Sequence, residues 1–179
     1  MRMLIATALI AGLFCAAQAE EDTGGTLNPE ELTLNSAIAK AAQGETSMMV
    51  CAMGYPVTKQ GDHEEARTIL EACANNGWTA AMTWMSQLEN NGLGADEDPD
   101  RAAEWDRRAA EAGDPVGKFN YGLDLMRGRG VARDEAEGRR LVDEAAADGL
   151  KVAQRLQAAD YDLDEVTPDA DNWKYAPLM

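Results

Sequence analysis

The feature that most restricts this chain is that it repeats itself in phase. Gly92-Leu93-Gly94-Ala95 opens a stretch that closes on Ala112-Gly113-Asp114, and Gly128-Arg129-Gly130-Val131 opens a second that closes on Asp148-Gly149. Gly92 and Gly128, Gly77 and Gly113, and Gly113 and Gly149 are each 36 residues apart. A gap-free period of this length is that of helical hairpins, each too small to bury its apolar face alone and therefore stacked on its neighbours. The expected fold is an all-α solenoid of about three antiparallel hairpins, with an additional N-terminal helix and a C-terminal segment as caps.

Local signals place the helices. Asn28-Pro29-Glu30-Glu31 reads as a helix start, with an N-cap, proline at the first helical position and acids on the positive end of the dipole. Leu32, Ile38 and Ala41 carry its apolar face, and Gly44 ends it. A second helix is expected from Thr46 to Met53, followed by a loop from Gly54 to Gly61. Asp62 and Glu65 resemble a capping box for the helix running through Ile69, Leu70 and Cys73 to Asn76-Gly77. Further helices follow from Trp78 to Asn90, from Pro99 (capped by Asp98) to Gly113, from Pro115 to Arg127, from Asp134 to Asp148, and from Leu150 to Ala159. Small residues share one phase at Ala66, Ala102 and Gly138 and another at Ala81, Gly117 and Ala153, where they let helix axes approach. Ile69, Trp105 and Leu141, with Met85 and Tyr121, fill the space between.

These residues resemble the Sel-one-like (Sel1-like) repeats, an α-solenoid family related to the tetratricopeptide repeats. The resemblance is carried by Gly117-Lys118-Phe119-Asn120-Tyr121-Gly122, Gly128-Arg129-Gly130-Val131, Glu137-Gly138 and Arg108-Ala109-Ala110-Glu111-Ala112-Gly113. It covers 63–159 well and 36–62 loosely, since Lys40-Ala41-Ala42-Gln43-Gly44 ends only 33 residues before Gly77. It implies a right-handed superhelix whose first helices line a concave surface, and a protein-binding adaptor; from the residues themselves, no catalytic residues and no cofactor are expected. Exported bacterial members include regulators that restrain a membrane sensor, and cysteine-rich relatives that bind β-lactams. Cys73 stands where those relatives carry a cysteine, but their partner position is Ala81 here, so their repeated disulfides do not carry over.

Residues 1–19 read as an export signal: Arg2, the apolar run Leu4 to Cys15, and Ala17-Gln18-Ala19 for cleavage before Glu20. Leu13-Phe14 precede Cys15, which is not a lipobox, and the run is too short to span a bilayer stably. The expectation is therefore a periplasmic, soluble, monomeric chain without stable membrane insertion. After the signal come a flexible leader at 20–27, an N-terminal helix with a loosely matching first hairpin at 28–62, repeats at 63–159, and an acidic capping tail at 160–179. The whole sequence has 32 Asp and Glu against 16 Lys and Arg, a net charge of −16. That charge repels nucleic acid and anionic lipid and excludes them as default partners.

Cleavage leaves two cysteines, Cys51 and Cys73, and an exported chain with an even count invites a disulfide. In a regular antiparallel hairpin the two lie on the order of 10 Å or more apart along the axis, whereas a bridge needs Cα atoms within about 7 Å. The sequence leaves open a bridge or two buried thiols.

The candidate binding surface follows from helix phase. With Gly117, Tyr121 and Leu125 turned to the core, Phe119, Asn120, Leu123 and Arg127 lie toward the other side of their helix. One unit earlier the same phases are Thr83, Trp84, Gln87 and Asn91. Aromatic, amide and arginine side chains there suit a groove for a protein or peptide of the cell envelope, although Trp84 and Phe119 could equally pack against the adjacent unit.

Other constellations are weaker. Asp160, Asp162, Asp164 and Asp171 have the spacing of a calcium loop, but Glu165 occupies the glycine position and Pro168 a ligand position. Val166, Trp173, Tyr175 and Leu178 suit a terminal cap instead. Met48, Met49, Met53, Met82 and Met85 read as adaptable core before copper ligands, so no metal is expected. His63 is the only histidine, and nothing assembles a nucleophile with a base. The rival functional class is a β-lactam- or peptidoglycan-related hydrolase, by analogy with the cysteine-rich relatives.

Overall fold

The computed structural model describes residues 33–166. The signal at 1–19, the leader, the Asn28-Pro29 start and the tail from Thr167 lie outside the described residues. The described chain is helical: α1 (Leu34–Ala42), α2 (Met48–Ala52), α3 (Gly54–Gln60), α4 (His63–Asn75), α5 (Thr79–Asn90), α6 (Pro99–Glu111), α7 (Pro115–Arg127), α8 (Glu135–Ala147) and α9 (Lys151–Ala158), then a 3-10 turn at Leu163–Glu165. No strand occurs among the described residues. Each helix from α4 onward packs on the next, and α5 also touches α7. The result is a stack of units, α5–α6 and α7–α8, each a first and a second helix. A first unit, α2–α3 with α4, precedes them and α9 follows.

Side-chain caps set the helix starts. The carboxylate of Asp98 accepts from the backbone N–H of Arg101 at 3.0 Å, that of Asp114 from Val116 at 2.8 Å and Gly117 at 3.0 Å, and that of Asp134 from Glu137 at 3.1 Å. Each satisfies donors that the first turn leaves unpaired. Pro99 and Pro115 occupy the first helical position, where a missing N–H costs nothing.

The small-residue phases are where the helices meet. Ala66, Ala102, Ala81 and Ala153 are buried, and so are Gly117 and Gly138. A Cβ on Gly122 would stand 2.8 Å from the Gly138 carbonyl oxygen, and one on Gly138 would stand 2.6 Å from that of Gly122. The α7 and α8 backbones thus touch. The repeated Gly-x-Gly loop has a second role, because its later glycine carries the chain across to the preceding second helix. Gly94 (φ +75°) abuts His63 and Glu64 at the start of α4, and Gly130 (φ +65°) abuts Pro99 and Asp100 at the start of α6. Positive φ and lack of room coincide at these two positions, which is why glycine recurs there.

The first unit departs from the expectation. The loop expected from Gly54 to Gly61 is the helix α3, and only Gly61 and Asp62 join it to α4. Pro56 stands in the first turn of α3, where its missing N–H is harmless. Gly54 lies against Leu70, its backbone too close for a side chain (2.4 Å from an added Cβ to Leu70 Cδ2). The capping box also fails. Asp62 sits at φ −82°, ψ 65° and its side chain makes no cap hydrogen bond, because the short link holds it out of the extended geometry. Ahead of that unit, Thr33 caps α1, its hydroxyl accepting from Ser36 N–H at 3.2 Å.

Candidate functional groove

The irregular first unit opens a groove. In the later units the first helices α5 and α7 lie side by side. In the first unit that helix is split at Met53 into α2 and α3. An apolar gap of about 230 Å³ is left between it and α5. Met48, Cys51, Ala52 and Tyr55 form one wall, Trp78, Ala80, Ala81 and Trp84 the other, and Leu70 of α4 is part of the lining. The Tyr55 and Trp84 rings meet across it at 4.9 Å between centroids, tilted by 50°. Tyr55 is 48 % exposed and Met48 75 %, so one wall is open to solvent. Small-molecule pockets run to about 300–1,000 Å³. This smaller, open, aromatic cleft suits one or two apolar side chains of a longer ligand.

A covalent bond fixes one wall. Cys51 of α2 is disulfide-bonded to Cys73 of α4, with Cα atoms 5.8 Å apart. A regular hairpin would have held them too far apart. Here α3 carries the chain on to Gln60 and only Gly61 and Asp62 turn it into α4, so Cys51 comes level with the end of α4.

The residues expected to line the concave face separate into two groups. Trp84 is part-buried and lines the groove. Gln87 and Asn91 are exposed, and Asn91 donates its amide to the Gln87 carbonyl at 2.8 Å. Thr83 donates its hydroxyl back to the Ala80 carbonyl at 3.0 Å. In the next unit the placement differs. Phe119 and Leu123 are 6 % and 8 % exposed, packed into the core with Met126, Val142, Ala145, Leu156 and Val166. The returning C-terminal segment covers the face that helix phase alone leaves open, so these two form core and not groove. Arg127 donates to the Val166 carbonyl and fastens that segment. Asn120 donates to Asp106 at 3.1 Å.

That last contact belongs to a buried polar seam absent from the sequence reading. Asp106 of α6 accepts hydrogen bonds from the Ser86 hydroxyl of α5 and the Asn120 amide of α7. Burial pushes its carboxyl up to about 8, opposed by those two donors and reinforced by the charge of Asp124. Burial likewise pushes Asp124 up to about 7, with Arg129 and Arg127 pulling the other way. Asp106 and Ser86 are each 2 % exposed, so the seam is sealed from any substrate. Its role is to join three helices. Glu89, 1 % exposed, does the same one turn further along α5, pairing with Arg67 at 2.9 Å and Arg101 at 3.4 Å.

The remaining candidates do not converge. Among the described residues no group of three or more His, Cys, Asp or Glu is placed to hold a metal ion. Asp162 instead caps the 3-10 turn, accepting from Asp164 N–H at 3.0 Å, and Asp171 and Pro168 lie outside the described residues. Met82 and Met85 are buried, whereas Met48 and Met49 are exposed; they do not form one ligand set. No helix among the described residues is long and apolar enough to cross a membrane.

This architecture defines a helical-repeat solenoid, a class whose extended concave surface serves as a scaffold for partners. Solved structures narrow the class. The chain is similar to a Sel1 repeat protein from Oxalobacter formigenes (26 % identity, 70 % of this chain and 97 % of that one, TM-score 0.58). It shares its fold with the cysteine rich protein B of Helicobacter pylori (18 % identity, 74 % and 98 % covered, TM-score 0.57). It shares it also with c5321, a protective antigen of uropathogenic Escherichia coli displaying an SLR fold (19 % identity, 73 % of this chain, TM-score 0.51). The match spans about a third (34 %) of that longer antigen. No family model and no curated protein matches the sequence. The chain thus has the fold of the Sel1-like repeat proteins.

Proposed function

We propose that this protein is an exported adaptor that binds a protein or peptide segment through the groove beside Trp84, in the periplasm, as a monomer and without a cofactor. The observation that carries the reading is the open apolar cleft framed by Tyr55, Trp78 and Trp84. Aromatic side chains in a partly open apolar site are the usual anchors of a protein interface. Export is supported by the N-terminal signal pattern and by the Cys51–Cys73 disulfide, a bond that persists in oxidising compartments. An envelope sensor or assembly factor is the kind of partner such an adaptor would serve. No observation on the described residues favours the hydrolase alternative.

The test is differential capture from an envelope extract with wild type and Trp84→Ala. The expected result is a partner retained by wild type and lost from the variant, with both chains showing the same helical circular dichroism. Identical partner sets would remove the groove from the reading. Fractionation of a tagged chain tests the location separately.

A further inference from the structure

The described chain does not end at the far end of the stack. After α9 it reverses through Asp160 and Tyr161, both at positive φ, and the 3-10 turn at Leu163–Glu165. It then comes back over α7, where the Val166 carbonyl accepts from Arg127 and the Val166 side chain is buried beside Phe119, Leu123 and Met126. Leu163, Val166 and Tyr161 thereby cover the C-terminal end. The apolar residues that follow, Trp173, Tyr175, Leu178 and Met179, are not needed to close it.

We propose that residues 167–179 dock in cis in the apolar groove between α2–α3 and α5, led by Trp173 and Tyr175, as a self-ligand that an outside partner must displace. This deepens the groove reading above and rests on it for the site.

Reach permits it. Trp84 and Asn120 share one phase of neighbouring first helices. The path from Arg127 is about 10 Å down α7 and about 10 Å across to α5, on the order of 15 Å in all. Trp173 and Tyr175 follow Val166 by seven and nine residues, which extend to about 23 and 30 Å. Chemistry matches as well. Three of the four large hydrophobic residues most exposed among those described, Met48, Met49 and Tyr55, belong to α2–α3, and Met48 and Tyr55 line the groove. The fourth, Val116, stands in α7 at the phase that Ala80 occupies in the groove wall. Two aromatic rings suit a cleft already lined by Tyr55 and Trp84.

Two measurements on the full chain test this. With a benzophenone side chain in place of Trp173, irradiation is expected to give intramolecular crosslinks to 48–55 or 78–84 in the monomer fraction. Crosslinks confined to α8–α9, none at all, or crosslinked dimers would overturn docking in cis. A synthetic peptide of residues 167–179 should then bind the Trp173→Ala/Tyr175→Ala double variant about tenfold or more tightly than wild type, because a short tether gives the native segment an effective concentration near the mM range. Equal affinities, or binding to neither, would refute it. The capture experiment with Trp84→Ala is independent. If a partner is lost there while the crosslinks are absent, the groove stands and only its self-ligand falls.

Discussion

Placing a methyl group on Gly130 tests how the repeats are joined. Its Cβ would lie 1.9 Å from the Pro99 carbonyl oxygen and 3.0 Å from the Asp100 nitrogen, atoms of a backbone that cannot simply rotate away. The residue also has φ +65°. Gly149 has φ +94° and nothing within 4 Å of an added Cβ, so Gly149→Ala measures the conformational part alone. A left-handed alanine costs about 1–2 kcal/mol, offset by about 0.4–1 kcal/mol from the stiffer unfolded chain. Gly149→Ala should therefore cost roughly 1 kcal/mol or less. Gly130→Ala adds the overlap with α6, about 1–3 kcal/mol more. At about 2–4 °C per kcal/mol for a chain of this size, a total of about 1–4 kcal/mol should lower the melting point of Gly130→Ala by roughly 2–16 °C, always further than that of Gly149→Ala. Thermal melts by circular dichroism read both. Equal shifts would show that the loop does not bear on the preceding second helix and would refute the account of the repeated glycine.

Three further outcomes follow from the packing. Replacing Cys51 and Cys73 by alanine opens a crosslink of sequence separation 22 and should lower stability by about 3 kcal/mol by loop-closure entropy; urea titration with and without reductant checks it, reductant having no effect on the variant. The folded-state carboxyls of Asp106 and Asp124 are raised to about 8 and about 7. Their contribution is thus full below the unfolded value near 4 and is lost as pH rises toward 8. Asp106→Asn should flatten the fall in melting temperature over that window, and an unchanged slope would dissociate the seam from it. Ala102→Leu, at a position 1 % exposed, should overpack the α6 seam and cost roughly 1–3 kcal/mol, read as a lower melting temperature.

The part of the fold between Trp78 and Gly149 was legible because each signal there is local and repeated: Asp98-Pro99, Asp114-Pro115 and Asp134 as starts, with glycine at the matching stops. The first unit was not. Gly54-Tyr55-Pro56 has the composition of a loop, and only the contact of Gly54 with Leu70 shows why it is the first turn of a helix. The groove was half legible. Periodicity puts Trp84 and Phe119 on equivalent faces, but whether a face is open depends on what the following unit and the returning chain lay over it, and Phe119 is covered. The polar seam escaped because its phase is polar in one unit alone. Leu70 and Trp84 become Asp106 and Asn120, then Val142 and Leu156, so no period announces it.

The Cys51–Cys73 bond lies within the first unit of the stack. Where units touch only their neighbours, an end unit is the place from which order is lost. The leading unit is stitched to itself, whereas α9 and the segment returning over α7 are held by packing and hydrogen bonds. A protease or unfolding machine that grips the trailing end peels α9, α8 and α7 in turn, whereas one that starts from the leading end meets a covalent stop within the first few helices.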